Sequence, residues 1–93
     1  MAHLLRPDGS GHPAAPAGRT FTLAEMYALV GCDMVEPVDL DDGRTMWIDE
    51  EGKYADPPKP VNAEATHLLA LAGGIPGDVI VGNALITLPG EVD

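Results

Sequence analysis

The chain has little of what usually marks a catalytic or extracellular protein. It holds a single cysteine, Cys32, in 93 residues, so no intramolecular disulfide can form and no Cys-rich zinc site can be built. Aromatic residues make up 4% of the sequence and are Phe21, Tyr27, Trp47 and Tyr54. Positive charge is scarce too: 5 Lys and Arg face 15 Asp and Glu, for a formal net charge of −10 and a pI of about 4.3. A surface of that sign repels phosphate, which argues against direct nucleic-acid binding and against electrostatic attachment to a membrane. No unbroken apolar run is longer than Leu68 to Ala72, far below the ~20 residues of a bilayer span. No basic and then apolar leader opens the sequence. These absences predict a cytoplasmic protein.

What is present suffices for one small globular domain. The chain is 45% hydrophobic with a mean hydropathy of +0.03, a composition of folded rather than disordered proteins. Residues 1–6 contain His3-Leu4-Leu5-Arg6, a candidate strand for a sheet edge. Residues 7–20 carry Pro7, Pro13 and Pro16 among glycines and alanines, which predicts a flexible loop. Residues 21–88 form the single domain, and residues 89–93 read as a frayed tail.

Within that domain the strongest local signal is Thr22-x-x-Glu25. It is a capping box, with Phe21 and Met26 at the staple positions around it. Leu23, Met26, Tyr27 and Val30 then share one helical face, and Gly31 supplies a left-handed stop. Met34 to Leu40 and Arg44 to Asp49 read as two strands around the turn Asp41-Asp42-Gly43. Pro37 lacks an amide donor and marks its strand as an edge or a bulge. A second turn spans Glu50 to Lys53, and Asp56 to Pro60 is a stiff extended connection. Asn62 caps a second helix that places Ala65, Leu68, Leu69 and Ala72 on one face and ends at Gly73-Gly74, with Pro76 barring its continuation. Asp78 to Leu88 is nearly all apolar and predicts a central strand buried on both faces. Its Gly82-Asn83 is either a bulge or a tight hairpin turn. The order (β)-α-β-β-α-β predicts an α+β fold: a sheet of about four strands with two helices on one face.

Several stretches resemble the bacterial and phage family DUF3846. They are FTLAEMYALVG, VEPVDLDDGRTMWIDEEGK, the helix start from Asn62 to Ala65, and GDVIVGNALI, in the family's order across most of Phe21 to Ile86. The resemblance implies a fold and a setting of small cytoplasmic proteins carried by phages, plasmids and their hosts. It implies no catalytic residues, because the family has no established activity. Where relatives pass straight to a short strand, this chain has a long Gly/Ala/Pro insert after Gly9.

Nine carboxylates lie in residues 33–56: Asp33, Glu36, Asp39, Asp41, Asp42, Asp49, Glu50, Glu51 and Asp56, with Arg44 and Lys53 as the cations of that stretch. They form either a solvated surface that keeps a small protein soluble or a face that meets a basic partner. Asp39 to Glu50 is set out like a calcium loop, but Gly43 and Arg44 fall at positions 5 and 6, where the pattern needs a ligand and a glycine. A hairpin is the better reading. His3, His12 and His67 have no ligand-like spacing to one another or to Cys32. Ser10, the sole serine, sits in the Gly/Pro-rich segment, a poor place to hold a nucleophile. Gly73 to Gly77 is Gly-rich but follows a helix and precedes a strand, the reverse of a phosphate loop.

No catalytic residue, metal-ligand set or cofactor site is therefore assigned. The leading expectation is a non-enzymatic protein-binding module with a basic partner. Trp47 would be its anchor, if it lies on an open sheet face, and Asp41, Asp42, Asp49, Glu50 and Glu51 its charged rim. If Trp47 faces the helices it is core instead. The alternative is an enzyme or a small-ligand or metal-binding protein. Its carboxylate site, drawn from Asp49 and Glu50, would be assembled at a homo-oligomer interface.

Overall fold

The frame is a five-stranded antiparallel sheet, seen in a computed structural model that describes residues 2–74 and 77–92. Its strands are β1 (Ala2–Leu5), β2 (Gly11–Ala14), β3 (Val35–Asp39), β4 (Thr45–Asp49) and β5 (Ala84–Thr87), in the spatial order β2-β1-β5-β4-β3. Helix α1 (Leu23–Val30) follows β2, and helix α2 (Ala63–Leu71) precedes β5. The class is α+β as the sequence predicts, with five strands in place of about four.

β5 organises the core. It lies between β1 and β4, and all its residues are buried. Alternation along a strand sends Leu85 to one face and Ala84 and Ile86 to the other. Leu85 pairs with Leu4 and Trp47, while Ile86 pairs with His3 and Met46. Two cores result. On one face Leu4, Leu85, Trp47, Phe21 and Ala2 pack with Met26 and Val30 of α1. On the other, Leu5, Met46, Ile86 and Ile80 pack with Ala65, Leu68 and Leu69 of α2. The expectation of two helices on one face is therefore corrected: the helices cover opposite faces. A central strand apolar on both sides requires cover on both sides.

The helix ends follow local chemistry. Thr22 Oγ1 accepts from the Glu25 amide at 3.2 Å, and Glu25 Oε1 accepts from the Thr22 amide at 2.9 Å. Glu25 Oε2 also accepts from the Ala17 amide at 2.9 Å, tying the preceding segment to α1. Gly31 takes the left-handed conformation, with φ 79°, and its N–H reaches the Tyr27 carbonyl. At α2, Asn62 is fully buried, and its Oδ1 accepts from the Ala65 amide at 3.1 Å. Its Nδ2 donates to the carbonyls of Leu5 (3.1 Å) and Gly82 (3.0 Å). One side chain thus joins the end of β1, the start of α2 and the entry to β5, with its donors and acceptor engaged. Gly82 has φ 74° and separates the Val61–Val81 bridge from β5. Among the described residues, no pairing folds residues 78–81 back on β5, so Gly82-Asn83 is a kink rather than a hairpin turn. Pro76 lies outside the described residues.

The two ends of the chain differ from expectation. β1 is not an edge strand, because part of residues 7–20 forms β2 and pairs outside it. Asp8 builds the connecting turn by accepting from the Ser10 amide (2.8 Å) and hydroxyl (2.6 Å). Pro13 is tolerated because β2 is the outermost strand, where a missing donor costs no ladder bond. Pro37 occupies the same position on the opposite edge strand, β3, so both edges of the sheet are blunted by proline. Residues 89–92 are tied down rather than frayed. The Phe21 amide donates to the Glu91 carbonyl at 2.7 Å, and Val92 bridges Phe21 and packs on the α1 core.

Candidate functional site

The β3–β4 hairpin carries most of the candidate carboxylates, and the structure divides them between its two ends. At the turn, Gly43 has φ 89° and the Leu40 amide closes on the Arg44 carbonyl at 2.9 Å. Asp42 accepts from the Arg44 amide at 3.2 Å and from Arg44 Nε at 2.7 Å. The backbone bond first, and then the guanidinium, hold the Asp42 carboxyl below its ordinary range. Asp42 is therefore engaged in its own turn, with exposed Asp41 beside it. Leu68, Leu71 and Ala72 of the α2 segment line a shallow cleft there with Leu40 and Arg44.

The open end is built differently. The Glu50 amide bonds to the Met34 carbonyl at 3.1 Å, and the chain enters a single 3-10 turn, Gly52–Tyr54. A Cβ at Gly52 would stand 2.8 Å from Val81 Cγ2 and 3.3 Å from Asp49. Glycine there lets the turn lie against the loop before β5, and Tyr54 projects with 85% of its surface exposed. Asp49 Oδ1 accepts from the Glu51 amide at 2.9 Å, and Oδ2 pairs with Lys59 Nζ at 2.7 Å. Lys59 Nζ also donates to the Gly31 carbonyl at 2.6 Å, where the α1 dipole concentrates negative charge. The Asp49 side chain is only 9% exposed.

These contacts frame a cavity of about 400 Å³ lined by Gly31, Cys32, Met34, Asp49, Tyr54 and Lys59, with Asp33 and Glu51 at its rim. Lys59 is neutralised within it. Among the described residues, Asp33 and Glu51 have no ion-pair partner. Burial raises the Cys32 thiol above its ordinary range, opposed by a backbone hydrogen bond from Met34. The thiol therefore stays protonated near neutral pH, which is poor material for a nucleophile. Among the described residues, no group of three or more His, Cys, Asp or Glu could hold a metal ion. No helix in them is long and apolar enough to cross a membrane.

Of the residues singled out from the sequence, Asp49 and Glu51 line this cavity, and Glu50 borders a neighbouring one with Tyr54. Asp41 and Asp42 lie at the other end of the hairpin, separated by a five-residue strand, or about 17 Å at ~3.3 Å per residue. Trp47 stands midway. It is half-buried in the α1 core, and its Nε1 donates to Thr87 Oγ1 at 3.0 Å. Tyr54, Met34 and Lys59 were not legible as site residues. The available signal was a lone aromatic in a charged turn, outside any apolar periodicity.

The model of the family described as a domain of unknown function, DUF3846, matches residues 2–93. The chain belongs to this family, and the match takes in the N-terminal insert. No curated protein and no solved structure matches the chain.

Proposed function

We propose that this DUF3846 member is a non-enzymatic protein-binding module whose recognition surface is the open end of the β3–β4 hairpin. The observation that carries the reading is Tyr54, 85% exposed beside Met34 at 49%, at a cavity whose unpaired charge is negative. Tyrosine combines a large rigid apolar body with a polar tip and is enriched at binding hot spots. The acidic rim steers a partner of opposite sign and rejects acidic competitors. The partner is accordingly a basic protein that brings an apolar side chain to Tyr54. In a cytoplasmic phage or plasmid setting, it is a host or element protein whose action the module modulates.

The test is retrieval of partners from host lysate by the tagged chain at low and high salt. A basic protein should be recovered at low salt and lost at high salt. It should also be lost with Tyr54→Ala and with the pair Asp33→Lys and Glu51→Lys, but retained with Asp41→Lys and Asp42→Lys. Recovery indifferent to Tyr54→Ala overturns the reading.

A further inference from the structure

We infer that the smaller cavity beside Tyr54 is a socket for an arginine side chain of the partner. This rests on the reading of this hairpin end as the recognition surface. The cavity holds about 210 Å³. Cofactor and drug-like sites run to about 300–1,000 Å³, so this one has the size of a single side chain. Its floor is apolar: Val38, Ile48, Leu69 and Ile80, the outer end of the α2-side core. Its mouth is charged. Glu36 and Glu50 border it, and neither has an ion-pair partner among the described residues. Glu36 stands opposite Ile48 in the β3–β4 register, so it shares the sheet face of the floor. The remaining wall is Tyr54, Asp49, whose charge Lys59 meets, and the Lys53–Asp78 ion pair, whose cation is already used.

An apolar floor under a negative mouth selects a long methylene stem with a cationic head. A bare metal ion would leave the floor uncovered. An aliphatic side chain would desolvate the carboxylates with no compensating bond. Between the two cationic side chains the mouth favours arginine. Its planar guanidinium presents five donors that can address two carboxylates at once. It is more weakly hydrated than an ammonium and can stack on the Tyr54 ring. Tyr54 and Asp49 border both this socket and the larger cavity, so a chain crossing Tyr54 can seat one side chain on each side of it.

The test titrates the 93-residue chain with N-acetyl-arginine methylamide and follows its methyl resonances by NMR. Saturable shifts at Ile48 and Ile80 are expected. The citrulline counterpart, which keeps the shape and loses the charge, should bind at least about tenfold more weakly, as should the lysine counterpart; about tenfold corresponds to about 1.4 kcal/mol. Glu36→Gln with Glu50→Gln should weaken arginine binding comparably while leaving the methyl dispersion of the folded chain intact. Unmoved Ile48 and Ile80 methyls, or equal binding of citrulline or of lysine, or indifference to the double substitution, each overturn the socket. The two readings fail separately. Tyr54-dependent capture with no response to the arginine probe removes the socket alone. A specific arginine response with capture indifferent to Tyr54 removes the module reading alone.

Discussion

The two ends of the β3–β4 hairpin each hold a cation–carboxylate pair at 2.7 Å, yet the pairs do different things. Arg44 and Asp42 are two residues apart, with side chains 36% and 54% exposed, and their contact closes a turn that Gly43 already shapes. Lys59 and Asp49 come from separate segments, with side chains 27% and 9% exposed, and the lysine also reaches the last carbonyl of the α1 cap. Water screens the first pair, so it adds little to the fold. The second pair is shielded and joins three parts of the chain, so removing one partner strands a charge. The comparison teaches that carboxylate density alone does not mark a site. What distinguishes the open end is a shielded pair that fixes the walls, with Tyr54 and unpaired carboxylates left over at the rim.

Changes along the hairpin sharpen this contrast. The largest effect is expected between the ends. Trp47→Ala empties part of the α1-side core and should cost about 3 kcal/mol in urea unfolding. Trp47→Phe should cost about 1 kcal/mol, chiefly the bond to Thr87. If Trp47→Ala instead abolished partner capture with unchanged stability, the anchor would be Trp47 and not Tyr54.

Asp49→Ala comes next, at about 2 kcal/mol after allowing for partial exposure of Lys59. A double-mutant cycle with Lys59→Ala should show about 1 kcal/mol of coupling. Additive effects would break the claim that this pair fixes the cavity wall.

The pH response is smaller and more widely distributed. Backbone bonds from Thr22 and Ala17 lower Glu25, the Ser10 hydroxyl and amide lower Asp8, and Lys53 lowers Asp78, as the Arg44 amide lowers Asp42. Each carboxyl is more acidic folded than unfolded. Its contribution is therefore present above the ordinary carboxylate range and is lost as pH falls through the folded value. Thermal scans should show the melting temperature declining from about pH 5 toward about pH 3, with Glu25→Gln flattening part of the slope.

Two further changes should do least. The Cys32 thiol should react with iodoacetamide near about pH 8 more slowly than a free thiol, because burial keeps it protonated. Asp42→Ala at the turn should lower the melting temperature only slightly, because water screens its contact with Arg44.

The parts of the fold that local chemistry writes were legible. The Thr22–Glu25 box, the Gly31 stop and the Asn62 cap need only neighbours within four residues, and they stand where the sequence puts them. β2 was not legible. Gly11-His12-Pro13-Ala14 has no apolar alternation, and it is a strand because the Asp8 turn returns the chain alongside β1. The cover on both faces was implicit in the apolar run through Ala84 to Ile86, but a reading with both helices on one face conflicted with it. Glu91 and Val92 looked like a loose end because their partner, Phe21, lies far away in sequence. At the site, Asp49 and Glu51 were visible as charge. Tyr54 was not, because it lies in a turn that packs through Gly52 against Val81, a residue remote in sequence that no local pattern points to.

The most direct measurement is a hydrogen-exchange footprint of the chain bound to the basic protein retrieved from lysate, against the free chain. Protection centred on residues 31–34 and 49–55, with residues 40–44 unchanged, is the predicted result. Protection centred on residues 40–44, with the amides around Tyr54 unaffected, would contradict the account.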